Sequence, residues 1–143
     1  MAINPDKLMN FMGKLVGDLG AMMSIGPMLL GEKLGLYKAM ADGTPVTHAE
    51  LAAKTNTHER YVREWLCSQA ASGFVEYDAA TEKFSMTEEQ AAALGAEGGP
   101  FYFLGAVEVA VAVMKAEPQM VEAFRTGKGM GWHEHDACLF RGE

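Results

Sequence analysis

Hydrophobic positions recur at helical spacing along most of the chain. Asn4 before Pro5 marks a helix start, a capping side chain followed by a proline whose missing N–H costs nothing there. Leu8, Phe11, Leu15, Leu19 and Met22 then repeat at three- and four-residue intervals. Gly13, Gly17, Gly20 and Ala21 form a second stripe of small residues. Glycine inside a helix costs up to about 1 kcal/mol against alanine, so their spacing suggests close approach by another backbone. Two usable faces exceed what one small core needs. A partner chain or second domain is the expected reason; burial on both sides within one domain is the alternative.

Pro27 predicts a second helix through Leu30, Leu34, Tyr37 and Met40, ending at Gly43. Thr47 with Glu50 reads as a capping box opening a short helix from Leu51 to Lys54. Thr57 predicts the next start, with Tyr61, Val62, Trp65, Leu66, Gln69 and Ala70 on one broad face and a stop at Gly73. Two short alternating runs, 74–77 and 83–86, predict a hairpin across the polar 78–82 turn. Thr87 with Gln90 is a second capping box. An apolar helix from Phe101 to about Lys115 follows, then one around Gln119 to Arg125, and a loop-like tail from Thr126.

The predicted fold is mainly α: a winged helix-turn-helix with a small β-hairpin wing and additional N- and C-terminal helices. One domain spans 1–143, with helices at 1–42, a winged helix at 46–86, helices at 87–126 and a tail at 127–143. Short helix, turn, longer helix and hairpin is the winged-helix order.

Composition narrows the function. The 143 residues are 49% hydrophobic, which suits one globular domain. Net charge is −7, and residues 1–73 balance seven basic against seven acidic groups, so the whole excess lies beyond them. The expected recognition helix exposes His58, Glu59, Arg60, Arg63 and Glu64, and the wing sets Glu76, Asp78 and Glu82 against Lys83. Phosphate contact needs clustered positive charge, so DNA is not the expected partner; a winged-helix DNA-binding regulator is the alternative reading. A small ligand-binding helical module is a further one. The longest apolar stretch is about 14 residues and holds Glu108, short of the roughly 20 that span a bilayer. No secretory signal is visible, and Cys67 and Cys138 make no disulfide framework, so a cytoplasmic protein without membrane association is expected.

The chain also resembles a known family. Residues 11–20, FMGKLVGDLG, and 31–37, GEKLGLY, look like the start of bacterial S-adenosylmethionine-dependent methyltransferases with an N-terminal winged-helix domain. Glu50-Leu51-Ala52, the run from Glu59 to Leu66 and Ala71-Ser72-Gly73 match most specifically. Residues 122–125 and 131–136 extend the likeness toward the end of the chain. The resemblance implies a dimerising domain that covers a substrate pocket. A separate downstream Rossmann-like domain would bind S-adenosylmethionine and a small-molecule methyl acceptor. The strand, glycine-rich turn and helix of such a domain are not expected within these residues, so this chain is expected to bind no cofactor and to hold no catalytic residue.

Candidate site residues follow. A homodimer interface is expected from Phe11, Gly13, Leu15, Gly17, Leu19, Gly20, Leu104, Val107 and Val111. Substrate-pocket candidates are Met22, Phe101, Tyr102, Trp132, His133 and His135, the histidines being able to take a proton near neutral pH. Gly127, Gly129 and Gly131 match a GxGxG pattern but follow a predicted helix, so they read as a connector. His133, Glu134, His135, Asp136 and Cys138 offer ligand types without a second pair at zinc-like spacing, and no metal is assigned. Cys67 is expected to be packed and inert.

Overall fold

A computed structural model describes residues 3–142. Helix α1 spans Pro5–Met23, with the Asn4 side chain accepting from the Lys7 N–H at 3.1 Å. Helix α2, Ile25–Lys33, and helix α3, Leu36–Met40, replace the single helix expected from Pro27 to Gly43. Gly35, at φ +67°, sits between them in the left-handed region and turns the chain. Gly31 lets α2 approach the core, because a Cβ there would overlap the rings of Tyr37 and Trp65.

Helix α4, His48–Thr55, starts at the expected capping box and ends on Asn56 at φ +51°. Helix α5, Glu59–Ala71, is capped by His58, whose Nδ1 accepts from the Arg60 N–H, so the cap lies one residue beyond Thr57. Strands β1, Glu76–Asp78, and β2, Lys83–Ser85, pair antiparallel with Tyr77 opposite Phe84. Val46 bridges to Phe84 by two 2.8 Å hydrogen bonds, adding a third short edge to the wing. Helix α6, Glu88–Leu94, opens at the second capping box, and Gln90 ties it to the wing through Gly73 and Glu76.

The core lies where α3, α4 and α5 meet the wing. Leu36, Met40, Leu51, Leu66, Val75 and Phe84 are buried together. Within it the Tyr37 hydroxyl donates to the Gln69 Oε1, and the Tyr37 and Trp65 rings meet edge to face at 5.0 Å. Trp65 Nε1 donates to the Pro27 carbonyl at 2.8 Å, fixing α2 to α5. Tyr61, expected on the buried face of α5, is instead 76% exposed.

Helix α7, Leu104–Lys115, begins three residues later than expected, and helix α8, Glu117–Thr126, follows at once. The tail is not all loop. A 3-10 turn at Trp132–Glu134 leads into helix α9, Ala137–Gly142, which buries Cys138 and Leu139 against Ala112 of α7. Gly105 and Gly142 allow that contact, since a Cβ on either would strike the other's backbone. Among the described residues no helix is long and apolar enough to cross a membrane.

Candidate functional site

Three surfaces collect the candidate residues. The first is apolar. Helix α1 has no buried side chain, and Phe11, Leu15 and Leu19 are all exposed. A Cβ on Gly13, Gly17 or Gly20 would meet nothing within 4 Å, so the small stripe is open. At the foot of α1, a groove of about 380 Å³ is lined by Met22, Ile25 and Leu29 together with Val111 and Met114 of α7. Leu104 and Val107, expected at an interface, are 1% and 7% exposed and belong to the domain's own core. The reason is angular: α7 turns this side inward and leaves Val113 and Met114 outside.

The second surface is a polar cleft of about 600 Å³ between α2, α7 and α9. Tyr102 donates to the Glu32 Oε1 at 3.1 Å, while the Glu32 Oε2 is buried without a hydrogen-bond partner. Burial raises the Tyr102 pKa, and the hydrogen bond to Glu32 with the charges of Glu32, Glu97 and Glu108 raises it further. Arg141 of α9 spans the cleft to Glu108, which is buried on α7.

The remaining pocket candidates lie apart. Phe101 is 72% exposed. Trp132 packs edge to face on His135 at 5.3 Å and on Phe140 of α9 at 6.0 Å. His133 is exposed beside it. Met22 lines the apolar groove, Tyr102 the polar cleft, and Trp132 and His135 a third place, so no single cavity gathers all six. The Gly127–Gly131 loop follows α8, and Gly127 is its left-handed cap at φ +72°. Helix α8, not a strand, leads directly into it, so its backbone N–H groups are not set up as a strand–turn–helix cradle and the loop does not fit S-adenosylmethionine. Among the described residues no group of three or more His, Cys, Asp or Glu side chains is placed to hold a metal ion.

The third surface is the exposed side of α5 with the wing. Arg60 pairs with Glu64 at 2.6 Å, and His48 meets Glu59 at 3.1 Å. Lys83 of the wing lies 3.9 Å from Glu50. Cys67, expected to be packed, is exposed on this side.

Helix-turn-helix and wing thus stand in the expected order, and residues 18–96 match the family described as Rv2258c-like winged HTH domain. The chain belongs to this family. The winged HTH domain has no match among curated proteins. Among solved structures, an O-methyltransferase family protein from Burkholderia thailandensis is 19% identical at a TM-score of 0.67, over 99% of this chain and 41% of its own. PigF with SAH is 13% identical at 0.66, over 85% and 38%. A protein from Nostoc punctiforme PCC 73102 assigned as an O-methyltransferase is 19% identical at 0.61, over 89% and 36%. The likeness is one of fold, and the domain spans about two fifths of these structures' length.

The sequence missed two parts of these surfaces. Glu32 lay in the 31–37 run that carries the family resemblance, but nothing in its local pattern marked it as a partner for Tyr102. Arg141 fell in a segment read as loop, although its spacing from Cys138 is one helical turn.

Proposed function

We propose that this winged HTH domain is the N-terminal accessory domain of an S-adenosylmethionine-dependent O-methyltransferase. In this reading it self-associates through α1 and helps cover the methyl-acceptor pocket of a separate catalytic domain. The cofactor is held by that domain and not by this chain. The carrying observation is α1 itself, 19 residues with no buried side chain. Its exposed Leu, Met, Phe and Val side chains present roughly 1,000 Å² of apolar surface, against about 800 Å² per partner in a standard interface. Soluble monomers rarely expose so much in one patch. A two-fold pair is the commonest way to cover it. The fold likeness to O-methyltransferases supports the enzyme context.

Sedimentation equilibrium at micromolar concentration tests the association, and a two-chain mass is expected. A one-chain mass with a cooperative melt refutes it. Calorimetric titration with S-adenosylmethionine is expected to give no stoichiometric site on this chain.

A further inference from the structure

Helix α8 carries an apolar face that the rest of the fold leaves unused. Met120, Val121 and Phe124 lie on one side of it, no α8 side chain is buried, and Phe124 is 93% exposed. Helix α8 starts directly after α7, whose Val111 and Met114 share a groove with Met22 and Ile25 at the foot of α1. Apolar surface therefore runs from α1 across that groove to the base of α8. A side-by-side contact between two α1 helices covers one strip of each and leaves the rest of a broad apolar arc in water.

We infer that the Met120–Phe124 face of α8 receives the α1 arc of a second copy, so that a two-fold pair contains two equivalent α1–α8 contacts. This deepens the self-association reading and rests on it. Charge agrees with the pairing. Among the described residues, Lys7 of α1 forms no ion pair, nor does Glu117, which rims the α8 face with Arg125 at its other end. The seated α1 brings the ammonium toward the Glu117 end of the face and away from Arg125, where such a pair sets register more than affinity. The competing seat is the groove of about 420 Å³ between Leu30, Leu34, Tyr61 and Trp65. Its lining holds no carboxylate to meet Lys7.

Phe124→Ser separates the two seats. Its side chain supports nothing within the chain, so the melt should stay at the wild-type temperature. Dimer dissociation should strengthen by about 30-fold or more, as for a truncated aromatic anchor. Tyr61→Ser should leave the dimer unchanged. In a Cys67→Ser background, a Leu15→Cys chain mixed with a Phe124→Cys chain should form a mixed disulfide. A monomeric wild type would overturn both this inference and the self-association reading. A dimeric wild type with Phe124→Ser equally tight, or with the loss carried by Tyr61→Ser, would overturn this inference alone.

Discussion

The Arg141 guanidinium meets the Glu108 carboxylate twice, Nε to Oε2 at 3.2 Å and Nη2 to Oε1 at 3.4 Å. Glu108 is buried on α7, while Arg141 sits on the half-exposed rim of α9. The pair joins elements 33 residues apart and closes one side of the Tyr102 cleft. A buried carboxylate that loses its partner is costlier than the intact pair is stabilising. Arg141→Ala should therefore lower the melting temperature more than Glu108→Gln, which keeps the shape and an acceptor. Hydrogen exchange should speed up first in α9. Equal shifts for the two variants would mean that α9 docks by its apolar contacts alone.

A second pair tests the core. The Tyr37 hydroxyl donates to Gln69, which is 1% exposed. Tyr37→Phe leaves a buried amide without a partner, which costs about 1–3 kcal/mol. Adding Gln69→Leu removes the orphan, so the double variant should recover part of the loss. Urea melts of the two singles and the double measure the coupling. Strict additivity would show that the hydrogen bond contributes nothing.

These elements differ in how plainly the sequence announced them. Both capping boxes were legible because Thr47 with Glu50 and Thr87 with Gln90 act over three residues and need no distant partner. The wing was legible from alternation bounded by polar residues. The break at Gly35 was not, because apolar spacing continues through it and only the packing of Tyr37 under Gly31 requires the turn. Helix α9 was hidden by its length of six residues, too short for periodicity to register. Leu104 and Val107 misled because an all-apolar helix does not reveal which side meets its own core. The Glu32–Tyr102 contact spans 70 residues, beyond any local pattern.

Acid should loosen the α7–α9 junction. Hydrogen bonding from Cys138, and then from Lys115, holds the Asp136 carboxyl well below the usual carboxylate range. A lowered folded-state pKa contributes stability that is complete above the unfolded value of about 4 and is lost as pH falls through the folded one. Asp136→Asn, which resembles the protonated acid, should thus lower stability at pH 7 and flatten the decline below about pH 4, the two proteins converging in acid. Melts from pH 2 to 7 check this, and an unchanged acid limb would assign the loss to other carboxylates.

Duplex DNA binding should be weak. On the exposed side of α5, Arg60 is tied to Glu64, and in the wing Lys83 faces Glu50, leaving Arg63, which shares a groove with Glu82, as poor cover for phosphates. Gel shift at physiological salt should show no sequence-selective retention tighter than about 1 μM. Selective retention below that concentration, falling with Arg63→Ala, would promote the regulator reading.

Gly17 offers the cleanest separation of fold from assembly. It lies mid-way along α1, and a Cβ there meets nothing within 4 Å in the single chain. Alanine in an exposed helix interior is about 1 kcal/mol better than glycine, so Gly17→Ala should raise the helicity of α1 or leave it unchanged. Nothing inside the domain selects against the side chain. A second backbone close to the Gly13–Gly17–Gly20 stripe would select against it strongly, and more so against a branched residue. Gly17→Val should then weaken the dimer by at least about tenfold, or about 1.4 kcal/mol, with the thermal unfolding of the winged-helix core unchanged. Paired circular dichroism and sedimentation on wild type, Gly17→Ala and Gly17→Val decide the point. A valine variant that dimerises as tightly as wild type would mean that the partner meets only the Leu–Phe–Met side of α1, and that the glycine stripe faces water in the assembly as it does in the single chain.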